Sequence, residues 1–214
     1  MMPMKAIVKE FERTNKNKIS LIFGSSGKLY AQIKNGAPYQ AFFSADQVKP
    51  KILCNENIGL KKSLFTYATG RLALWSSQKN MVTNDFSILS NLNFNKLSLA
   101  NPRLAPYGYA AKEVLIHLNL LKTTRSKWVQ GENISQAYQF VYTANADIGF
   151  IALAQIMKNE IISKGSYWLV PENFHSPIYQ DAVLIKKSLL GRRFFDFFKT
   201  QKVKNILKSY GYSL

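Results

Sequence analysis

The stretch Phe23-Gly24-Ser25-Ser26-Gly27-Lys28-Leu29-Tyr30-Ala31-Gln32-Ile33 is the most informative part of the chain. An apolar run, Ile19 to Phe23, reads as a buried strand and breaks off in Gly-Ser-Ser-Gly before a helical pattern begins. A helix that opens this way presents hydroxyls and unpaired backbone N–H groups at its positive end, where an anion is favoured. Taken alone, the turn is equally compatible with anion binding and with plain capping geometry. It has neither the Lys-Ser/Thr ending of a Walker loop nor the three-glycine spacing of a dinucleotide fingerprint.

Working outward, Met4, Ile7, Val8 and Phe11 recur at helical spacing, so the chain opens into an amphipathic helix. After Ile33 come a helix end at Gly36, a strand over Ala41 to Ser44 and a short helix to Cys54. Strand-like runs follow at 63–68 and 71–76, parted by Thr69-Gly70, then at 97–100, 127–129, 147–151, 167–170 and 181–185. Helical patterns lie between them, at about 109–121, 133–143 and 152–157, and two close the chain at 192–199 and 203–210. This alternation predicts an α/β fold with largely parallel sheets. The middle block reads as a lobe inserted into a first lobe: residues 1–72 plus 180–214 form lobe 1 and 73–179 lobe 2, with hinges near Leu72 to Trp75 and Pro177 to Asp181.

The chain has 214 residues, and its 47% hydrophobic content suffices for a packed core. Its 29 Lys and Arg against 12 Asp and Glu give a formal charge of +17, which attracts anions of any size. These cations are scattered, with no polybasic run, so no nucleic-acid partner is expected. No apolar run approaches the ~18–20 residues that cross a bilayer. The single Cys54 excludes an internal disulfide and a cysteine metal cluster. His117 reads as a packed surface histidine, His175 lacks a Cys or Ser partner, and no acid–base or nucleophile constellation appears, so no enzyme and no cofactor are expected. Trp75, Trp128 and Trp168 read as packing residues, with Trp75 near enough to a hinge to report closure.

Two further helix starts stand beside the first. Pro106-Tyr107-Gly108 precedes the 109–121 helix, and Asn133 caps the helix that Ile134 begins. Each alone is ordinary punctuation. Together, three helix N-termini from two lobes make a site for a small dianion without any charged ligand.

The order of these blocks, from Phe23 to Asp46, Asn101-Pro102 to Glu113, Glu132 to Ala137, Ala146 to Gly149 and Tyr210-Gly211-Tyr212, resembles the periplasmic molybdate-binding proteins of ABC importers. The resemblance implies a two-lobed type II periplasmic-binding fold that takes molybdate or tungstate in the cleft and delivers it to an ABC-transporter permease, acting as a monomer. It implies an oxyanion site at Ser26, Tyr107 and Ile134, with Ser25, Gly27 and Gly108 as weaker members; molybdenum would be held only as the bound oxyanion. A tyrosine hydroxyl that some members add falls here on Ala152. The family opens with a strand and a small-residue anion loop that this chain does not show, so lobe 1 is expected to be N-terminally truncated, through a truncated gene or an internal start. Localisation is periplasmic by resemblance, and cytoplasmic if the chain is translated as given, since no signal peptide is visible. The alternatives are a truncated, non-binding remnant and a cytoplasmic oxyanion-sensing module.

Overall fold

The apolar stripe of the first helix decides where the chain starts to pack. A computed structural model describes residues 2–214 and places Ile7, Val8 and Phe11 of α1 (Met2–Thr14) in the core. Next come α2 (Ser26–Lys34), β1 (Ala41–Phe43), α3 (Val48–Asn55), β2 (Phe65–Gly70) and β3 (Leu72–Ser76). The middle of the chain forms α4 (Ser87–Ser90), β4 (Leu97–Ala100), α5 (Pro106–His117), α6 (Leu121–Thr124), β5 (Trp128–Gly131), α7 (Ile134–Tyr142) and β6 (Ile148–Ala152). The remainder is β7 (Met157–Lys158), β8 (Ile161–Ile162), β9 (Ser166–Leu169), β10 (Ile178–Leu184), α8 (Leu189–Phe198) and α9 (Gln201–Ser209).

Two main sheets result, ordered β1-β10-β2 and β5-β4-β6-β3-β9. The expectation of largely parallel sheets is corrected. The first sheet is antiparallel throughout, and in the second only β4 pairs in parallel, with β5 and β6. The cause is the route between the sheets. The chain leaves the first sheet through β2 and β3, parted by Arg71 alone, and returns through β9 and β10. Outgoing and returning strands lie side by side, Ala73 against Leu169 and Gly70 against Ile178, so their directions oppose. Thr69 and Gly70, expected as a break between strands, belong to β2 itself.

Each sheet packs its own core. Phe11, Phe194, Phe195, Phe198, Val203 and Leu207 cover the first, and Phe43 sits among their rings at centroid distances of 4.8–5.9 Å. Leu74, Leu97, Leu99, Val114, Leu115 and Phe150 fill the second beneath α5. The helix expected behind β6 shrinks to one 3-10 turn, Leu153–Gln155, leading into the small β7–β8 hairpin.

Ile19 to Phe23 also departs from expectation. The segment forms no regular element, among the described residues it has no ladder partner, and Ile22 and Phe23 are 57% and 42% exposed. An apolar run is buried as a strand only where a neighbouring strand takes up its N–H and C=O groups. Here the segment lines a cavity together with Pro38 to Phe43.

Candidate functional site

The first turn of any helix leaves N–H groups without an intrahelical acceptor, and their fate locates the site. In α2, the Ser25 hydroxyl accepts from Lys28 N–H at 3.3 Å and Gly27 N–H donates to the Leu104 carbonyl at 2.9 Å. Leu29 N–H donates to the Ser25 carbonyl at 3.0 Å, so Ser26 N–H is left over. In α5, Pro106 has no N–H, while Gly108 and Tyr109 both donate to the Ala105 carbonyl, at 2.9 and 3.0 Å. Tyr107 N–H is left over. In α7, Asn133 Oδ1 accepts from Ser135 and Gln136 N–H, both at 3.0 Å, and Ala137 N–H donates to the Asn133 carbonyl at 3.1 Å. Ile134 N–H is left over. Among the described residues, each helix start thus keeps one N–H without a protein acceptor, at Ser26, Tyr107 and Ile134.

All three residues line one cavity of about 580 Å³, together with Ser25, Ala45, Asn133, Ala152, Gln155 and Gln180. Local bonds hold the helix starts against each other. Gly27 N–H binds the loop before α5, the Lys28 ammonium meets the Glu132 carboxylate at 2.8 Å just before α7, and Gln155 Nε2 donates to the Ile134 carbonyl at 3.1 Å. The Lys28–Glu132 pair is half-exposed, so it contributes at most about 1 kcal/mol. Its effect is on alignment.

Ser26 brings a second donor. Its buried Oγ accepts Ala45 N–H at 3.0 Å, which leaves its own proton to be donated into the cavity. The weaker candidates have other tasks. Ser25 caps α2. Gly27 and Gly108 spend their N–H groups elsewhere and serve close packing: a Cβ on Gly27 would stand 2.9 Å from the Leu104 carbonyl oxygen, and one on Gly108 2.2 Å from that of Ala100.

The electrostatics are those of neutral donors. Among the described residues, Lys18 is the one charged side chain lining the cavity, and it is paired with Glu12 at 3.2 Å. Among the described residues, no carboxylate lines the cavity. Burial pushes the Tyr67 and Tyr107 phenols well above their ordinary range and that of Tyr212 up to about 12, so all three stay neutral at physiological pH. Among the described residues, no cluster of His, Cys, Asp or Glu could hold a metal ion. His117 stacks on Phe174, with ring centroids 4.2 Å apart, and the buried Cys54 thiol is pushed up chiefly by desolvation. Trp75 is buried against Tyr138 of α7.

Two cavity residues carry no sequence signal of their own. Gln155 and Gln180 come from distant segments, and only the fold brings them to the helix starts.

The sequence and fold of this chain are similar to those of known proteins. Over residues 1–213 the chain matches the family of bacterial extracellular solute-binding proteins. The chain belongs to that family. Its relatives include the molybdate-binding protein ModA of Azotobacter vinelandii, 42% identical over 99% of this chain and 85% of that protein. ModA of Rhodobacter capsulatus is 39% identical over 98% and 83%. The solved periplasmic molybdate-binding protein of Azotobacter vinelandii superposes with a TM-score of 0.96 at 37% identity, covering 99% of this chain and 94% of that one. This solute-binding protein therefore has the type II periplasmic-binding fold.

Proposed function

We propose that this solute-binding protein captures molybdate or tungstate at Ser26, Tyr107 and Ile134 and hands it to the permease of an ABC importer. The observation that supports this most is the set of three uncommitted N–H groups, one per helix start, on one cavity. A hydrogen bond to an ionised acceptor contributes about 1.5–3 kcal/mol, so three supply roughly 4.5–9 kcal/mol. Micromolar affinity corresponds to about 8 kcal/mol, and the Ser26 hydroxyl and three helix dipoles add to the total. Neutral donors suffice.

The same donors set the charge preference. With no carboxylate to accept a proton, the cavity disfavours oxyanions that carry one, such as hydrogen phosphate. Sulfate has the charge and shape of molybdate but shorter bonds, so cavity size separates them. Nothing is chemically transformed. The lobes, 1–72 with 180–214 and 73–179, close on the anion about the β2–β3 and β9–β10 crossings. The similarity to a solved periplasmic molybdate-binding protein supports a periplasmic carrier, and we take it to act as a monomer.

The test is a thermal melt of the chain with molybdate, tungstate, sulfate or phosphate added. Molybdate or tungstate at a hundred times its dissociation constant stabilises the folded state by about 2.7 kcal/mol, which raises Tm by roughly 5–10 °C at this chain length. Sulfate and phosphate leave Tm in place. An equal response to all four anions contradicts the selectivity, and a folded protein that answers none of them is the non-binding remnant.

A further inference from the structure

A buried hydrogen-bond network runs from the first sheet into the start of α5 and ends on a residue of the anion site. Gln180 is 3% exposed and stands in β10 where the register with β2 shifts. Its Nε2 donates to the Tyr107 hydroxyl at 3.1 Å, and its Oε1 accepts from the Tyr67 hydroxyl at 2.8 Å. The Ser44 carbonyl oxygen lies 3.3 Å from that same Tyr67 hydroxyl, and the next residue, Ala45, donates its N–H to Ser26 Oγ. Tyr212, next to the Thr69–Ser213 bridge, lines the same cavity as Tyr67, Tyr107 and Gln180.

The network fits because Gly70 has no side chain. A Cβ there would stand 2.1 Å from the Tyr107 hydroxyl oxygen and 2.6 Å from Gln180 Nε2. Tyr107 therefore spans the two sheets. It lines the cavity at the start of α5, where its backbone N–H has no protein acceptor among the described residues, while its hydroxyl is anchored on β10 of the first sheet.

We propose that Gln180 and Tyr67 are positioning residues for the anion site, acting through the Tyr107 hydroxyl. They set the distance between the Ser26 donors and the Tyr107 N–H, and so stabilise the arrangement in which one anion reaches both. This rests on the oxyanion-site reading above. A network that served stability alone would weaken free and loaded protein equally and leave the dissociation constant where it was. A positioning network is felt in that constant.

The experiment is a double-mutant cycle of Tyr107→Phe and Gln180→Met, read by calorimetric titration with molybdate at a temperature where circular dichroism shows every variant folded. Tyr107→Phe keeps the ring and the backbone N–H and deletes only the anchor. Each single variant is expected to bind about tenfold more weakly, and the double variant no more weakly than either single one, since both break one linkage. Unchanged affinity in the single variants, or losses that simply multiply, overturns the proposal. Tyr67→Phe carries the same expectation from the far end of the network and replaces Tyr107→Phe should that variant fail to fold. If the unsubstituted chain does not bind molybdate, the site reading fails; if it binds and the variants bind equally well, the positioning claim alone fails.

Discussion

Replacing Ile134 by proline is expected to weaken molybdate binding by about 10- to 150-fold while the fold persists, the loss of one hydrogen bond to an ionised acceptor at about 1.5–3 kcal/mol. Proline is tolerated at the first position of a helix, where its missing N–H has no intrahelical role. Ile134 occupies that position in α7, and Asn133 before it is already extended (φ −145°, ψ 172°), as a residue preceding proline must be. The substitution therefore removes one donor of the proposed site and leaves the Asn133 cap intact. Ile134→Ala is the control, since it loses the same side-chain packing but keeps the N–H. Titration calorimetry on both variants decides the matter. Equal affinities would show that the Ile134 amide is not a ligand.

The second large effect falls on stability. Gly108→Ala is expected to cost about 1–3 kcal/mol and lower Tm by roughly 3–10 °C, because the new Cβ has no room. It would meet the Ala100 carbonyl oxygen at 2.2 Å, the Ala100 carbonyl carbon at 2.7 Å and that of Asn101 at 2.9 Å, all backbone atoms that side-chain rotation cannot move aside. Relief requires α5 to slide off β4, which also shifts the Tyr107 N–H next in the chain. Anion affinity should fall with Tm in this variant. A calorimetric melt with unchanged Tm would mean that the contact between α5 and β4 is looser than the structure shows.

These variants turn on features of very different legibility in the sequence. The helix starts could be read because their signals are local: Ser25 and Asn133 cap their helices, and Pro106 opens α5. Even so, the pattern places the α2 and α5 helices about three residues late, at Leu29 and Tyr109, because apolar periodicity becomes visible only after the first turn. Tyr107 is therefore inside a helix and not in the loop before it. Strand direction could not be read, since it depends on which crossings lie side by side. Nor could the exposure of Ile22 and Phe23, because an apolar run carries no record of whether a partner strand adjoins it. The network through Gln180 joins residues 67, 107 and 180, whose polar side chains look like surface residues until β2, β10 and α5 meet.

In the proposed site three main-chain amides, each left without an acceptor by its own helix, close on one oxyanion. Amide-resolved NMR of the 15N-labelled protein tests this directly as molybdate is added. The Ser26, Tyr107 and Ile134 amide protons should move together to lower field and exchange more slowly with solvent at saturation. Saturation with these three amides unmoved, and the shifts gathered elsewhere, would contradict it.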